Sequence, residues 1–492
     1  MPETTVDENT NLWKLAKKCL LFTALAHILA AYFSIGYIHY DEHFQILEFA
    51  AYKLGLAPAS GLAWEFSAHI RSAMQPAFVV WLSSLAGSLA NPFTIAFILR
   101  LLSSFLGLGS ISLVVFIALK WVNTYPAKRF LIISATLLWF IPIIHSHFSS
   151  ENISGSLFFL GAGCIYLAKE KNTNYLLLIG GLLLGLSFVC RYQLIFMILG
   201  LAIWGIFIAR FSFLKIILIA LPLLFAIVIG VFIDHWFYGQ WVCTFWNYYK
   251  VNLVMGRAAD FGTSPWWEYF IWAAGDLIPP FSIAMMAGVF YSFYKYPKNV
   301  IALSCIPFIL AHFIIGHKEL RFMYPLINGL PVLPALSYPL VEDIFSPGKK
   351  FQWALKLFWG INIIMMAVSC LKPVRANVQP FSYIYQHYNG RSASLLSFDN
   401  NPYSDVNMIL CFYKPSDIHI YENVKPVQAD SFVSKIKGPV LLVSSNSKLD
   451  DEFIKTHPTV KLVYSSFPMW RDYLNFSKWG HTDLYKVYEV KP

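Results

Sequence analysis

Long apolar runs separated by short polar segments dominate the first 371 residues of the chain. Most of these runs approach the ~20 residues that an α-helix needs to cross the hydrocarbon core of a bilayer. The pattern predicts a polytopic α-helical membrane protein with about 11 transmembrane helices. Their expected positions are 19–38, 94–120, 129–147, 151–168, 175–190, 191–209, 213–234, 270–294, 299–316, 322–341 and 352–371. The shorter apolar segment 76–90 begins at Pro76 and is expected to be embedded without crossing.

Basic clusters recur between the apolar runs, and with segment 76–90 embedded they all fall on one side of the membrane. They are Lys14/Lys17/Lys18, Lys120/Lys128/Arg129, Lys169/Lys171, Arg210/Lys215, Lys295/Lys298 and Lys349/Lys350. Because cytoplasmic loops carry an excess of Lys and Arg, we assign this side to the cytoplasm. Segments 39–75, 234–267 and 317–321 and the tail are then expected on the opposite face.

The character of the chain changes after residue 371. Compact β-like runs at 408–413, 439–443 and 461–464 are separated by Pro, Gly, Asn, Asp and Ser, which are turn formers. Short helices are expected at 430–437 and 450–456. We therefore predict a multi-span catalytic domain over 1–371, with 39–75 as its first non-cytoplasmic loop. A small non-cytoplasmic α/β domain is predicted over 372–492.

Composition narrows the class of protein further. The chain is 57% hydrophobic and only 13% charged, whereas an ordinary soluble domain has about 25% charged residues. Its net charge of +10 is spread over small clusters and forms no single basic patch, so nucleic acid is not an expected partner. The seven cysteines are scattered, without zinc or disulfide spacing, and are expected to be packing residues.

The first loop carries two adjacent acids, Asp41 and Glu42, directly after an apolar run. Carboxylates beside a membrane span are costly to desolvate unless they are paired, solvated or functional. The apolar spacing of Phe44, Leu47 and Ala51 predicts a short helix along the interface. A carboxylate there can accept a proton from a sugar hydroxyl that attacks an activated glycosyl carbon. The alternative is an ordinary wet loop whose acids flank an interfacial helix.

A second charged block, His317-Lys318-Glu319-Leu320-Arg321-Phe322, lies between two apolar runs on the same expected face. Lys318 and Arg321 suit a lipid phosphate, because cations stabilise the charge that develops on a departing phosphate. The alternative is a short loop with snorkelling residues. Its location opposite the basic cytoplasmic face weakens that alternative.

Other polar and aromatic groups are less specific. Arg191 is expected to face a cavity or the interface. The segments around Tyr238 and Trp266 are typical of an aromatic belt, although their rings could stack on sugars. His145, His147 and Glu151 have a spacing that is compatible with a metal. Isolated histidines near a membrane surface are more often hydrogen-bonded structural groups, so neither a metal nor a cofactor is expected.

Taken in order, these motifs resemble the glycosyltransferase family 22 mannosyltransferases, which have the GT-C fold. The resemblance rests on Asp41-Glu42-His43-Phe44-Gln45 with Glu48, Trp64-Glu65-Phe66 with Arg71-Ser72, Tyr238-Gly239, Ser264-Pro265-Trp266, and His317 to Phe322 with Pro325. Within the family, the motifs at 401–404 and 481–485 are most similar to the branch that adds the third mannose of glycosylphosphatidylinositol (GPI) anchors. Tyr40, where the family often has Pro, and Cys190-Arg191-Tyr192-Gln193 depart from the family pattern.

The resemblance implies an inverting enzyme that needs neither a nucleotide nor an obligatory metal. Asp41 would be the general base and Glu42 a supporting acid or acceptor ligand. His317, Lys318 and Arg321 would neutralise the donor phosphate. Positioning of the acceptor or of the first loop is expected from a further set of residues, namely Gln45, Glu48, Trp64, Glu65, Arg71, Tyr238 and Trp266.

The leading hypothesis is thus a mannosyltransferase that moves mannose from a polyprenyl (dolichyl-type) phosphate to a glycolipid or lipid-linked glycan. It would be an integral protein of the endoplasmic reticulum or a bacterial inner membrane, surrounded by membrane lipids, with its active site on the non-cytoplasmic face. One alternative keeps the fold but changes the sugar or uses a cell-envelope acceptor. Another is a lipid or solute transporter. A transporter is disfavoured because the unusual charges collect at one rim and no repeated halves are evident.

Overall fold

A computed structural model describes residues 6–87, 90–338, 348–436, 438–444, 448–457, 459–466 and 485–490. The chain divides into two compact units. The first, which we call the helical unit, comprises Met1–Tyr32, Ala68–Ala77 and Ile98–Leu371. The second, the loop-and-sheet unit, comprises Phe33–Ser67, Phe78–Phe97 and Lys372–Pro492. Of the expected motif at 481–485, residues 481–484 lie outside the described residues.

Several helices have the length and composition of membrane spans. Within the described residues, four segments meet both criteria: Asp7–Phe33, Pro92–Ala118, Phe213–Tyr238 and Gln352–Tyr388. The number rises to six if two bent pairs are each counted as one span, Tyr125–Leu137 with Phe140–Ser146 and Phe281–Lys295 with Val300–Ile314. These helices establish a helical membrane protein, while the predicted count of about 11 spans stays a prediction.

The remaining elements of the helical unit are shorter. They include Ser150–Lys171, Tyr175–Cys190, Tyr192–Leu194, Ile195–Ile203, Trp204–Ile208, Thr244–Tyr249, Lys250–Val254, Arg257–Phe261 and Glu268–Asp276. Helix Lys349–Leu371 overlaps the span Gln352–Tyr388. Helix Ser150–Lys171 begins where the Ser149 side chain accepts the N–H of Asn152, and it ends at the left-handed residue Asn172. These two caps satisfy backbone groups that a helix leaves open at its ends.

Close helix packing in this unit depends on small residues. A Cβ added to Gly161 would come within 2.9 Å of the Gly180 carbonyl oxygen on the next helix, so only glycine allows this approach. Small residues play this part in membrane helix bundles, where burial in lipid gives no hydrophobic drive for association. The buried core nearby includes Phe158, Leu194 and Phe308.

Three expected continuous helices are wrong as predicted. Segment 129–147 is divided into Tyr125–Leu137 and Phe140–Ser146, which are bent by 44° at the break. Segment 270–294 is divided into Glu268–Asp276 and Phe281–Lys295, because Pro279 and Pro280 interrupt it. The described part of segment 322–341 forms only the short pieces Leu320–Leu326, Leu330–Val332 and Leu333–Leu336. Pro325, Pro331 and Pro334 each remove a backbone donor and crowd the preceding turn. Hydropathy alone reports an apolar run and does not register these breaks.

The loop-and-sheet unit contains a five-stranded sheet. Its strands lie in the order Ile418–Tyr421, Ala393–Leu396, Val440–Ser444, Lys486–Val490 and Lys461–Ser465. The first three are parallel to one another. Lys486–Val490 runs antiparallel to Val440–Ser444, and the edge strand Lys461–Ser465 runs antiparallel to Lys486–Val490. Helices Pro426–Val433 and Lys448–Thr456 connect strands of this sheet. Leu396, Leu442 and Phe453 belong to its buried core.

The predicted strands at 439–443 and 461–464 are confirmed as Val440–Ser444 and Lys461–Ser465. The predicted run at 408–413 is wrong beyond its first two residues. Met408–Ile409 pairs with Ser404–Asp405 in a small hairpin, and Cys411–Tyr413 turns into a 3-10 helix. The two turn residues Val406 and Asn407 have positive φ, as a tight hairpin with right-handed strand twist requires.

Candidate active site

Within the first loop, the part that belongs to the loop-and-sheet unit forms a continuous helical segment from Tyr40 to Lys53. It consists of a turn at Tyr40–Glu42, a wider π-helical turn at His43–Leu47 and the helix Glu48–Lys53. The ring nitrogen Nδ1 of His39 accepts the N–H of Asp41 at 3.3 Å and caps its start. The apolar residues that predicted this helix, Phe44, Leu47 and Ala51, are buried within the protein.

The three carboxylates of this segment have different surroundings. Glu42 is buried and its Oε2 accepts the N–H of Ile38 at 3.0 Å. Glu48 is also buried, and its Oε1 accepts from His43 Nε2 at 2.8 Å. The Asp41 side chain is 25% exposed and lies 3.7 Å from His39 Nδ1. Asp41 is therefore the acid of this segment that a second molecule can reach.

Two of the predicted positioning residues in this unit are in contact. Glu65 lies in the short helix Trp64–Ser67, and its Oε1 accepts a hydrogen bond from Gln45 Nε2 at 2.9 Å. Both side chains are buried. This hydrogen bond joins the first-loop helix to the Trp64 turn and satisfies two polar groups that would be costly to bury alone.

Residues distant in sequence support the first loop. The Tyr37 hydroxyl donates to the Asp405 carboxylate, and burial together with Asp405 raises the pKa of Tyr37, which keeps it a neutral donor. The Arg375 guanidinium lies 4.6 Å from the Tyr40 ring centroid and 5.0 Å from that of Tyr37. Such cation–π contacts fix the residues that directly precede Asp41.

The charged block of the helical unit has extensive hydrogen bonds. Arg321 binds Glu319 through a fork, with Nε donating to Oε2 at 2.6 Å and Nη2 donating to Oε1 at 3.1 Å. His317 Nε2 lies 2.9 Å from Glu319 Oε1, and its Nδ1 lies 2.9 Å from the Gly262 carbonyl oxygen. Both ring nitrogens of His317 thus lie beside acceptor oxygens, one of a carbonyl and one of a carboxylate.

Lys318, in the same block, binds backbone carbonyl oxygens instead of carboxylates. Its Nζ donates to the carbonyl oxygens of His312, at 3.3 Å, of Phe313, at 3.2 Å, and of Ile315. Its Nζ also lies 5.9 Å from the Tyr269 ring centroid. Burial lowers the pKa of Lys318 below the ordinary value of lysine. The residue is a partly desolvated cation whose three N–H groups are directed at backbone carbonyl oxygens.

Sequence reasoning missed the role of Glu151 and its partner Arg191. Glu151 Oε1 accepts from Arg191 Nη1 at 2.8 Å and from Arg321 Nη1 at 3.0 Å. The pattern had grouped Glu151 with His145 and His147, whereas His145 Nδ1 lies 3.0 Å from Nε2 of His27. Among the described residues, no group of three or more His, Cys, Asp or Glu is placed to hold a metal ion. The available sequence signal for this ion pair was the location of Glu151 and Arg191, each at the end of an apolar run.

Arg71 and Tyr238, which were predicted as positioning residues, are in contact in the helical unit. The Tyr238 hydroxyl donates to the Arg71 carbonyl oxygen at 2.7 Å. Asp234, one turn earlier and not predicted, accepts the N–H of Ala73 at 2.7 Å and the hydroxyl of Thr244 at 2.6 Å. These bonds attach the segment 71–73 to the end of helix Phe213–Tyr238.

Trp266 lies in a segment that packs against the charged block. Its ring is exposed and lies 6.0 Å from that of Phe313, and the Ser264 N–H donates to the Gly316 carbonyl oxygen at 3.0 Å.

Of the predicted site residues, Asp41, Glu42, Gln45, Glu48, Trp64 and Glu65 belong to the loop-and-sheet unit. Arg71, Tyr238, Trp266, His317, Lys318 and Arg321 belong to the helical unit.

Comparison with solved structures identifies the fold class. The crystal structure of ArnT from Cupriavidus metallidurans bound to undecaprenyl phosphate is similar, with a TM-score of 0.55 at 11% sequence identity. The similarity covers 96% of this chain and 98% of ArnT. The protein is thus a polytopic helical membrane protein with the GT-C fold.

The sequence family is more specific. The model of the Alg9-like mannosyltransferase family matches residues 18–387, and the chain belongs to this family. It is 25% identical over 306 residues to GPI mannosyltransferase 3 of Candida albicans, covering 61% of this chain and 59% of that protein. It is 24% identical over 194 residues to GPI mannosyltransferase 3 of Yarrowia lipolytica, covering 39% of this chain and 34% of that protein. These matches span less than two thirds of each relative.

Proposed function

We propose that the protein is an inverting mannosyltransferase that takes mannose from a polyprenyl-phosphate donor of the dolichyl type and transfers it to a glycolipid. Membership of the Alg9-like mannosyltransferase family supports the sugar and the reaction. The accessible carboxylate of Asp41, among buried and hydrogen-bonded acids, is the structural observation that carries the proposal. The active face is the non-cytoplasmic one, because the basic clusters mark the opposite side.

Asp41 acts as the general base. An acceptor hydroxyl oxygen attacks C1 of mannose while the bond between C1 and the phosphate oxygen breaks, and the carboxylate takes the hydroxyl proton. Attack from the face opposite the phosphate inverts the anomeric centre. Glu42 and Glu48 set the shape of the loop through their hydrogen bonds to Ile38 and His43, and Gln45 with Glu65 adds a further support.

The polyprenyl phosphate leaves with a full negative charge that needs stabilisation. Lys318 and Arg321, helped by His317, provide it, because preorganised cations in a partly desolvated site stabilise developing charge better than water does. The fork of Arg321 suits two phosphate oxygens, and Lys318 adds a compact charge.

The acceptor is a glycolipid precursor of a GPI anchor. Two relatives that carry the name GPI mannosyltransferase 3 support this choice. Trp64, Arg71, Tyr238 and Trp266 would position the acceptor, since aromatic rings stack on sugar faces and Trp266 is exposed.

The test is a transfer assay with the purified full chain, radiolabelled dolichyl-phosphate mannose and a panel of acceptors. The panel contains mannosylated GPI precursors, lipid-linked oligosaccharides and bacterial envelope lipids. We expect label in the GPI precursor that already carries two mannoses. Label only in another acceptor would contradict the GPI assignment. Absence of transfer to every acceptor, together with solute or lipid flux in proteoliposomes, would contradict the enzyme itself.

A further inference from the structure

Arg321 already binds two protein carboxylates before any donor arrives. Its Nε and Nη2 bind Glu319, while its Nη1 binds Glu151. A phosphate that binds the fork formed by Nε and Nη2 must displace Glu319 from it. The roles of Glu319 and Glu151 therefore decide how the donor site works.

The two carboxylates differ in accessibility. The Glu151 side chain is 3% exposed and lies between Arg191, which is 4% exposed, and Arg321. The Glu319 side chain is 24% exposed. Removing a carboxylate that is enclosed by two guanidinium groups would leave uncompensated buried charge, which is strongly unfavourable. Glu319 is the partner that solvent, and hence a ligand, can reach.

The geometry of the Glu319 contact matches that of a bound phosphate. Two parallel N–H bonds run from the fork of Arg321 to the two carboxylate oxygens, and this is the arrangement that guanidinium groups form with phosphate. His317 Nε2 points at the same carboxylate. A phosphate bound in place of this carboxylate would contact the same groups, namely the fork of Arg321 and His317 Nε2.

We infer that Glu319 is a resident anion that occupies the donor-phosphate position on Arg321, and that Glu151 is a positioning residue that keeps Arg321 and Arg191 in place during the exchange. This inference rests on the proposed function and specifies how its donor site is filled. Donor binding swings Glu319 away, and departure of the polyprenyl phosphate lets it return. The Nε and Nη2 groups of Arg321 are thus paired with an anion both before and after the donor binds.

Two substitutions with the same change in charge separate this mechanism from simple electrostatics. Glu319→Gln removes the competing anion and keeps an oxygen for His317, so binding of dolichyl phosphate should tighten by about tenfold. Glu151→Gln removes the same charge but loosens both arginines, so binding should weaken by about tenfold. Electrostatics alone would tighten binding in both variants.

The experiment measures the dissociation constant of dolichyl phosphate for the purified full chain in detergent, for the wild type and both variants. Dolichol and inorganic phosphate serve as separate probes, so that the lipid and the phosphate contributions are distinguished. Glu319→Asp, which keeps the charge but shortens the reach to Arg321, provides a second variant and should tighten binding less than Glu319→Gln. Thermal unfolding confirms that each variant is folded.

Kinetics gives a second readout. The donor KM should fall in Glu319→Gln, and inhibition by dolichyl phosphate should become stronger because product leaves more slowly. In Glu151→Gln the donor KM should rise. If both variants shift the dissociation constant in the same direction, or neither does, the inference is wrong. Wild-type protein that transfers no mannose would contradict the proposed function, whereas active wild-type protein with unaltered variants would contradict this inference alone.

Discussion

The carboxylate of Glu48 accepts a hydrogen bond at 3.0 Å from the backbone N–H of Phe412, 364 residues further along the chain. The same oxygen, Oε1, also accepts from His43 Nε2. The His43 ring stacks on the ring of Tyr413, with centroids 5.3 Å apart. The first loop is thereby tied to a 3-10 turn of the loop-and-sheet unit, and the shape of the loop around Asp41 depends on that turn.

Substitution of Glu48 should destabilise the fold. In Glu48→Ala the N–H of Phe412 and the ring of His43 lose a buried acceptor, which should cost about 3–5 kcal/mol. Glu48→Gln keeps one oxygen acceptor and should lose less. Thermal unfolding in detergent measures both. Glu422→Ala is a matched control, because the Glu422 carboxylate also accepts a backbone N–H, that of Asn401, but at an exposed position. An equal loss in both alanine variants would contradict the structural role of Glu48.

Asp41→Asn should reduce mannosyl transfer by about 10²-fold or more, because a carboxamide cannot take the acceptor proton. The donor KM and the unfolding temperature should stay unchanged, since Asn has the same size and keeps an acceptor for local contacts. Initial rates with the GPI precursor provide the measurement. Asp260→Asn removes the same charge from an exposed 3-10 helix and should retain full activity. Wild-type rates in Asp41→Asn would remove Asp41 as the base.

Lys318 should make donor binding sensitive to alkaline pH. Burial lowers the pKa of Lys318, so this lysine loses its proton at a lower pH than an exposed lysine does. The donor KM of the wild type should therefore rise as the pH increases through that lowered pKa. Lys318→Arg stays charged and should give a flatter KM profile. Lys250→Arg, at an exposed position, is the control and should follow the wild type. Identical profiles for all three proteins would argue against a charge role for Lys318.

Gly36→Ala should be destabilising for two reasons. Gly36 has a φ of +101°, a region that residues with a Cβ rarely adopt, and the added Cβ would overlap the side chain of Arg375. Overpacking of this kind costs about 1–3 kcal/mol. Gly55→Ala separates the two effects, because Gly55 also has positive φ but open space around it. Unfolding temperatures should fall further for Gly36→Ala, and transfer should fall with them, because Arg375 supports Tyr40 beside Asp41. Equal shifts would show that only φ matters.

Local patterns in the sequence predict several of the helices and several strands. The runs at 94–120 and 213–234 correspond to Pro92–Ala118 and Phe213–Tyr238, because a long apolar segment satisfies its own backbone only as a helix. The helical form of the first loop also agrees with the apolar spacing of Phe44, Leu47 and Ala51, whereas the contact between Gln45 and Glu65 was not predicted.

Contacts between distant segments could not be predicted in this way. Glu151 and Arg321 are 170 residues apart, and neither local spacing nor hydropathy indicates which charged residues will share a buried site. Glu48 illustrates the same limit, because it was assigned to the acceptor or the loop while its partner Phe412 lies in the tail. Pairing of this kind is set by tertiary packing, and a single sequence contains no direct signal for it.

The division of the chain into two units has a consequence for biosynthesis. The loop-and-sheet unit combines residues 33–67 and 78–97 with residues after 371, so the first loop emerges from the ribosome long before its supporting turn. The Phe412 N–H can bind Glu48 only after the turn that contains Phe412 has been translated. Until then, the segment around Asp41 lacks this supporting hydrogen bond. The proposed active-site loop is therefore completed only after the membrane-spanning helices that precede residue 371 have been synthesised.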